Sequence, residues 1–259
     1  MIDTHAHIYD DRYDDDRHDV ITRAIDCGVE RMLIPNIDVQ TIQPMLDICR
    51  RYPGHCFPML GFHPTSVDND FERQLDIVAS YLDQSNIVAI GETGLDFYWD
   101  KQYTDQQIEA FRIQIGWAKK YGLPLVIHCR KSYNEIVALL KKEQDGSLTG
   151  VFHCFPGNIR QAEEVTRLGF MLGIGGVVTY RNSEMSQVVQ HIGMEHILTE
   201  TDAPYLPPTP FRGKRNESAY IEYIVQKIAE LKSMPVNEVA EQTTANAERV
   251  FTRMNKAVP

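Results

Sequence analysis

The sequence lacks a long apolar run and lacks paired cysteines. No segment reaches the roughly 18 consecutive apolar residues that a transmembrane helix needs, so we expect no membrane-spanning helix. The chain has five cysteines and none of them forms a C-x-x-C pair, so neither their number nor their spacing indicates a disulfide framework. These absences lead us to expect a cytoplasmic protein.

Basic charge is also scarce, since the formal net charge is −10. This balance argues against non-specific DNA binding through a broad basic surface, although bound cations can reverse the sign locally. The sequence contains neither the G-x-S-x-G elbow of serine hydrolases nor the G-x-x-x-x-G-K loop of P-loop enzymes. A hydrophobic content of 43% nevertheless indicates an ordinary folded protein.

Short apolar runs alternate with helical patterns along all 259 residues. Runs with little polar alternation are typical of parallel strands that are covered on both faces. Eight repeats predict an α/β fold of the (β/α)8 barrel type with an extra C-terminal helix, and a doubly wound open sheet is the alternative. We expect one domain, 1–259, because no linker interrupts the pattern. The predicted strands are residues 1–7, 31–35, 56–62, 87–92, 125–129, 150–153, 170–174 and 197–202. The predicted helices are residues 14–28, 40–52, 71–82, 105–121, 133–142, 159–168, 185–192, 217–232 and 236–253.

The first strand ends with His5 and His7, two residues apart. In a strand, this spacing projects both imidazoles to one face. Imidazole is a common metal ligand, so the pair predicts half of a divalent metal site. A candidate ligand this close to the start also leads us to expect a chain without a leader peptide.

Four further candidate ligands lie at the ends of later strands. The carboxyl ends of barrel strands meet at one mouth, so residues that are distant in sequence converge there. Four imidazoles and two carboxylates suffice for two divalent ions (Mg²⁺, Mn²⁺ or Zn²⁺), with Glu92 as the natural bridge. The predicted metal ligands are His5, His7, Glu92, His128, His153 and Asp202.

A paired-metal centre predicts hydrolysis, since two ions can generate hydroxide and neutralise charge on the attacked and leaving oxygens. This chemistry favours a phosphodiester substrate. Glu200 precedes Asp202 by two residues and therefore shares its face in a strand. Glu200 is a candidate for positioning water or for acid/base catalysis, and a buried structural carboxylate is the alternative.

Several basic residues follow predicted strands and are candidates for binding an anionic substrate. His63 follows strand three and Arg130 follows strand five. Arg212, Lys214 and Arg215 lie within four residues after strand eight, and together they predict a phosphate-binding loop. The alternative is a solvated charged loop.

Two further groups of residues stand next to the candidate ligands. Phe97, Tyr98 and Trp99 follow strand four and could either stack on nucleobases or pack over the barrel mouth. Cys129 and Cys154 each follow a candidate ligand histidine, and strand alternation turns them away from the metals. We expect both cysteines to be small buried apolar residues rather than nucleophiles.

These residues occur in motifs that closely resemble the TatD family of metal-dependent deoxyribonucleases in the amidohydrolase superfamily. The resemblance extends in order over nearly the whole chain. The motifs that carry it are Asp3-Thr4-His5-Ala6-His7, Gly61-Phe62-His63-Pro64, Gly91-Glu92-Thr93-Gly94-Leu95-Asp96, His128-Cys129-Arg130, His153-Cys154-Phe155, Glu200-Thr201-Asp202-Ala203-Pro204-Tyr205-Leu206 and Arg212-Gly213-Lys214-Arg215-Asn216-Glu217.

The resemblance implies a TIM barrel with two divalent metals on the six ligands named above, and exonuclease cleavage of DNA in the 3′ to 5′ direction. It further implies that Asp202 is both a ligand and a proton acceptor, and that positions such as His63 and Arg130 contact substrate. The chain departs from the family pattern at Thr93, Pro156 and Ser218, none of which is a predicted ligand.

Two alternatives to a deoxyribonuclease remain. One is a metal-dependent hydrolase of an ester or amide, such as D-aminoacyl-tRNA or a small molecule. Arg130 and the 212–215 loop argue for phosphate instead, and Glu92 stands where many amide-cleaving relatives use a modified lysine. The other alternative is a nucleic-acid-binding barrel without activity, which would not need six ligands. We expect a monomer that acts on DNA, with RNA as a further possibility, without a membrane or an obligate protein partner.

Overall fold

In the computed structural model, residues 1–83, 86–99, 101–181 and 183–256 are described. Eight parallel strands form one sheet, and each strand pairs with the next strand along the chain. The strands are β1 (Ile2–Asp3), β2 (Arg31–Pro35), β3 (Cys56–Leu60), β4 (Ala89–Asp96), β5 (Leu125–Arg130), β6 (Gly150–Phe152), β7 (Phe170–Ile174) and β8 (Ile197–Thr199).

Hydrogen bonds between the first and last strands close the sheet into a barrel. The backbone N–H of Thr4 donates to Thr199 O at 3.1 Å, and that of Asp202 donates to His5 O at 2.9 Å. Beyond the strand ends, His7 N donates to Ala203 O at 2.7 Å. The predicted barrel is therefore confirmed, and the alternative of an open sheet is wrong.

Helices connect successive strands and cover the outside of the barrel. The final helix follows the eight strand–helix repeats, as the sequence predicted. Within the described residues, the helices are α1 (Arg17–Asp26), α2 (Val39–Arg51), α3 (Phe71–Ala79), α4 (Thr104–Tyr121), α5 (Tyr133–Glu143), α6 (Ile159–Arg167), α7 (Met185–His191), α8 (Ile221–Lys232) and α9 (Val236–Val250).

The apolar core has two layers. A large outer layer fills the space between the strands and the helices. A smaller inner cluster contains residues from all eight strands or the positions flanking them, such as Leu33, Val126 and Leu198. Ala247, Phe251 and Met254 from the C-terminal segment join this inner cluster. The extra helix therefore helps to bury the barrel interior.

Strand β4 differs most from the prediction, because it continues to Asp96 rather than ending at Glu92. Ile90 and Leu95 both pack in the outer layer although they are an odd number of residues apart. Regular alternation would place them on opposite faces, but the pairing with β5 shifts register between Ile90 and Thr93. This irregularity lies at Glu92, a predicted metal ligand.

Strand β8 is shorter than predicted and ends at Thr199. Glu200 and Asp202 therefore lie in the turn after the strand, and the assumption that they share a strand face is wrong. Among the described helices, none combines the length and the apolar character needed to span a membrane.

Candidate metal centre

The extended segment after β1 buries His5 and His7 side by side. Ala6, between them, bridges Ala203 next to β8, and the spacing of two residues places both imidazoles on one face. Their Nε2 atoms lie 3.2 Å apart. Burial lowers the pKa of His5 well below its usual range, and the nearby His153 adds to this effect. His5 is therefore neutral, which is the form of imidazole that binds metals.

Glu92 lies between two groups of histidines. Its Oε2 atom lies 3.2 Å from His5 Nε2 and 3.5 Å from His7 Nε2. Its Oε1 atom faces three further ring nitrogens, which are His128 Nδ1 at 2.9 Å, His63 Nε2 at 3.2 Å and His153 Nε2 at 3.6 Å. One carboxylate is thus shared by two sets of nitrogen donors.

The environment of Glu92 keeps this carboxylate ionised. Burial alone raises the pKa of a carboxyl group, because the charged form loses its hydration. The surrounding histidines, with His63 and His153 foremost, outweigh burial and hold the pKa of Glu92 well below its usual range. A buried carboxylate surrounded by ring nitrogens attracts cations.

Asp202 reaches the same centre from the turn after β8. Its backbone has a left-handed φ of 57°. Its Oδ1 atom lies 3.7 Å from His7 Nε2 and 3.9 Å from the Nε2 atoms of both His5 and His153. Burial raises the pKa of Asp202 to about 6, although His153 and His7 oppose this shift. A carboxyl group with this pKa can exchange a proton near neutral pH.

The spacing of the donor atoms fits divalent metal ions. A tetrahedral ion with bonds of about 2.0–2.2 Å separates its donor atoms by roughly 3.3–3.6 Å. The corresponding distances between Glu92 and the pair His5 and His7 are 3.2 and 3.5 Å. Groups of possible ligands that lie within 4.8 Å of one another are His5–His7–Glu92, His5–His153–Asp202 and His63–Glu92–His128. Nitrogen and carboxylate donors together suit transition-metal ions.

The outer nitrogens of three central histidines also lie close to oxygen atoms. Metal-binding histidines typically use their second nitrogen in this way, because such a contact fixes the ring orientation. The three pairs are His7 Nδ1 with Tyr9 Oη at 3.1 Å, His128 Nε2 with Asp96 Oδ2 at 2.9 Å, and His153 Nδ1 with Glu200 Oε1 at 3.0 Å, the last of which is a close charge contact and not a hydrogen bond. The donor set therefore has supporting groups as well as candidate ligands.

Asp96 is a functional candidate that the sequence reasoning missed. Its position four residues after Glu92 was a usable signal, but the predicted strand ended too early to place both residues on one strand. Gly94, between them, has a φ of 133°, and a Cβ atom there would overlap the backbone oxygen of His128. The glycine therefore allows the close approach of β4 to β5 that brings Asp96 to His128.

Glu200 is fully buried behind His153. Its Oε1 atom accepts a hydrogen bond of 2.5 Å from the backbone N–H of Cys154, next to the Nδ1 atom of His153. Its Oε2 atom has no hydrogen-bond partner among the described residues. The contacts of Glu200 are thus on the side of His153 that faces away from Glu92. This location favours a role of Glu200 in orienting His153 rather than in contacting water at the centre.

The two cysteines beside the histidines have raised pKa values. Burial raises the pKa of Cys129 to about 12 and that of Cys154 well above its usual range. A thiol in this state contains almost no nucleophilic thiolate at neutral pH. Cys129 is buried in the apolar core, as expected from the sequence, whereas Cys154 is only half-buried and lies outside both core clusters.

Arg130 lies over two aromatic rings in the loop after β4. Its guanidinium carbon is 4.0 Å from the ring centre of Tyr98 and 5.1 Å from that of Trp99. Tyr98 is 53% exposed and Trp99 is 68% exposed, whereas Phe97 packs against the outer core. The sequence left two roles open for these aromatic residues, stacking on nucleobases and packing over the barrel mouth. Only Phe97 has the packing role.

The structure does not bring the three basic residues of the 212–215 loop together. Arg215 binds both carboxylate oxygens of Asp16, at 2.7 and 2.6 Å, and also contacts Glu217 at 3.2 Å. Lys214 is exposed, and the guanidinium of Arg212 lies 4.3 Å from the Tyr180 ring centre. The charge of Arg215 is thus paired with its neighbour Glu217 and with Asp16, which lies 199 residues earlier, and this pairing argues against a phosphate contact by Arg215.

Comparisons with known proteins agree with this geometry. The family model of TatD related DNases matches residues 2–252. YabD of Bacillus subtilis, described as an uncharacterized metal-dependent hydrolase, is 40% identical over 252 residues, which cover 97% of this chain and 98% of YabD. The 3′-5′ ssDNA/RNA exonuclease TatD of Salmonella typhimurium is 33% identical over 257 residues, which cover 97% of this chain and 98% of that protein.

Solved structures show the same architecture. The crystal structure of YJJV, a TatD homolog from Escherichia coli, superposes with a TM-score of 0.92 at 28% identity and covers 100% of this chain and 98% of that one. A hydrolase of the TatD family from Entamoeba histolytica superposes with a TM-score of 0.81 at 24% identity, with 98% of each chain covered. The second likeness supports the fold alone.

Proposed function

The chain belongs to the family of TatD related DNases and is a metal-dependent hydrolase, and from this premise we propose that it cleaves phosphodiester bonds of nucleic acid. The proposed reaction is the removal of nucleotides from the 3′ end of single-stranded DNA, with RNA as a possible second substrate. The observation that carries the proposal is the ionised Glu92 between two sets of histidine nitrogens.

We propose that Glu92 and the histidines around it would hold two divalent ions. When bound, two such ions lower the pKa of water and neutralise charge on the attacked and leaving oxygens of a phosphodiester. Besides Glu92, the proposed ligands are His5 and His7 near its Oε2 atom, His128 and His153 near its Oε1 atom, and Asp202, which lies near His5, His7 and His153. Glu200 orients His153, and this assignment makes it a positioning residue.

His63 is better suited to donate a hydrogen bond than to bind a metal. The backbone N–H of Thr65 donates to His63 Nδ1 at 3.2 Å. A neutral imidazole that accepts at Nδ1 carries its proton on Nε2. Burial lowers the pKa of His63, so the ring is neutral and its Nε2–H group points at the centre near Glu92. We propose that this group donates to a phosphoryl oxygen of the substrate.

Asp202 and Arg130 supply the remaining chemistry in this proposal. Asp202 accepts a proton from the attacking water, since burial raises its pKa to about 6 and its Oδ1 atom lies near three histidine nitrogens. Arg130 is exposed, and its guanidinium can pair with two phosphate oxygens. The chain itself thus provides proton transfer and orientation of the substrate.

Hydrolysis of end-labelled single-stranded DNA tests the proposal. Protein stripped of metal by a chelator is resupplied separately with Mg²⁺, Mn²⁺ or Zn²⁺, and the products from 5′-labelled and 3′-labelled strands are compared. We expect no cleavage without metal. With metal, the 5′-labelled strands should shorten stepwise, while the 3′ label is released at once as a mononucleotide.

Asp202→Asn provides the central variant of this experiment, because it keeps the shape of the side chain but removes the proton acceptor. We expect it to remain folded and to lose hydrolysis. The matched control is Asp47→Asn, a change at an exposed residue of α2. Equal cleavage by wild type and Asp202→Asn would refute the assigned role. Metal binding without cleavage of DNA or RNA would point to an ester substrate such as aminoacyl-tRNA.

A further inference from the structure

The exposed aromatic side chains cluster around the candidate metal centre. Large apolar side chains that are exposed among the described residues are Tyr98, Trp99, Tyr205, Leu206 and Val236. The first two lie in the loop after β4, the strand that contains Glu92, and the next two lie in the turn after β8, which contains Asp202. Single exposed apolar residues are common on proteins, but a concentration of them beside a site indicates ligand contact.

Resting on the proposed function, we propose that Tyr98, Trp99 and Arg130 form a subsite that stacks an unpaired nucleobase. The rings of Tyr98 and Trp99 are perpendicular, at 86°, with centres 5.1 Å apart. Arg130 lies over both rings, 4.0 Å from the ring centre of Tyr98 and 5.1 Å from that of Trp99, so a cation covers one side of the pair. The largely exposed indole of Trp99 offers the stacking surface. Bases stack on such aromatics without sequence preference, because every base has a π-face.

The charge of Arg130 complements a nucleotide on this surface. An arginine that stacks on a ring keeps its N–H groups in the guanidinium plane, where they can bind a phosphate. Among the described residues, no carboxylate forms an ion pair with Arg130. Arg12 in the turn after β1 provides a contrast, since it also lies over a ring, Tyr205 at 4.3 Å, but pairs with Asp10 at 2.8 Å. Arg130 is therefore the better candidate for binding a phosphate.

The subsite is connected to the metal centre through one carboxylate. Asp96 Oδ1 accepts hydrogen bonds from the backbone N–H groups of Tyr98, at 2.9 Å, and Trp99, at 3.3 Å. The other oxygen of Asp96 lies 2.9 Å from His128 Nε2. The aromatic loop therefore has a defined position relative to His128, and a stacked base would orient its phosphate on the His128 side of Glu92.

Tryptophan fluorescence can report base stacking directly. The chain has two tryptophans, and Trp117 is half-buried in α4 away from the proposed contacts. In a Trp117→Phe variant, the emission comes from Trp99 alone. This variant, stripped of metal to prevent hydrolysis, is titrated with an oligothymidylate and with an abasic oligonucleotide of equal length and charge. We expect strong quenching with the first oligonucleotide and little with the second. Equal responses to both would overturn the proposal.

Kinetics separate this proposal from the proposed function. We expect Trp99→Ala to raise KM for an oligonucleotide about tenfold, the order of magnitude of one lost stacking contact, with little change in kcat. Its rate with the abasic oligonucleotide, which has phosphodiester bonds but no base to stack, should stay at the wild-type value. Trp117→Phe should match wild type on both substrates.

The outcomes are distinguishable. If wild type cleaves oligonucleotides and Trp99→Ala has the same KM, the stacking subsite is wrong while the nuclease remains. If wild type cleaves no phosphodiester, the proposed function is wrong, and the quenching experiment still decides whether Trp99 binds bases. If Trp99→Ala lost activity equally on both substrates, the substitution would have a general structural effect. The proposed role of Trp99 in stacking would then be overturned.

Discussion

Asp96 Oδ2 lies 2.9 Å from His128 Nε2, on the opposite side of the ring from the nitrogen that faces Glu92. Burial favours the neutral ring of His128, but the hydrogen bonds to Asp96 and Glu92 outweigh it and raise the pKa of His128. The two residues thus have the geometry of a carboxylate that orients a metal-binding histidine.

Asp96→Asn should weaken metal binding while leaving the fold intact. The amide oxygen can still accept from the backbone of the aromatic loop, but the negative charge next to His128 is lost. Changes of this kind typically cost about 10–100-fold in metal affinity. The Mn²⁺ concentration that gives half-maximal activity, together with calorimetric binding of Mn²⁺, measures the effect. Asp47→Asn is the control, and an unchanged Mn²⁺ affinity of Asp96→Asn would contradict the assignment.

Removal of divalent metal should lower thermal stability as well as activity. A ligand that binds only the folded state at 100 times its Kd stabilises that state by about 2.7 kcal/mol. For a chain of this size, the melting temperature should fall by roughly 5–10 °C on chelation. Calorimetry with and without resupplied metal checks this. A double variant, His5→Ala with His7→Ala, should show a much smaller response. Identical melting curves of wild type in all conditions would argue against a metal centre.

We expect Arg215 to be a structural residue and Lys214 to be a substrate-binding residue. Arg215→Ala removes the bidentate pair with Asp16 and should cost about 1 kcal/mol of unfolding free energy without raising KM for DNA. Lys214→Ala should raise KM with unchanged stability, because Lys214 is exposed. Urea unfolding and steady-state kinetics measure both effects. If Arg215→Ala instead raised KM with unchanged stability, and Lys214→Ala lowered stability, Arg215 would again be a candidate for binding phosphate.

The sequence predicts the barrel well because its signals are local. Each strand is a short apolar run next to a helical pattern, and strand ends in a barrel meet at one mouth. This rule alone brings His5, Glu92 and His153 into one candidate site before any distance is known. The pairing of Arg215 with Asp16 is not predictable in this way, since Asp16 lies 199 residues earlier and a basic run carries no information about distant carboxylates.

The polar half of β4 was missed for a different reason. Glu92, Thr93 and Asp96 interrupt the apolar pattern, so the sequence reasoning ended the strand at Glu92. In the barrel these polar residues are buried, because the strand end contributes to the candidate metal centre rather than to the apolar core. Hydrophobic patterns therefore fail to mark a strand where polar functional residues take the positions of apolar core residues. Asp96 was overlooked because it lies in such a part of β4.

A pair of glycine substitutions tests whether the position of Glu200 matters. A Cβ atom at Gly173 would overlap Glu200 Oε2, and Glu200 would have to move away from Cys154 and His153. We expect Gly173→Ala to lower the free energy of unfolding by about 1–3 kcal/mol and to reduce activity at limiting metal. Denaturant unfolding and activity over a range of Mn²⁺ concentrations measure these effects.

Gly116→Ala is the matched control for this substitution. A Cβ atom at Gly116 meets no atom within 4 Å, and the residue lies inside α4. Alanine loses less conformational freedom than glycine in a helix, so this change should stabilise the fold by about 0.5–1 kcal/mol without altering the metal dependence. If Gly173→Ala lost stability but kept the wild-type dependence of activity on metal, the contact of Glu200 with His153 would stabilise the barrel. It would then have no effect on metal binding at the centre.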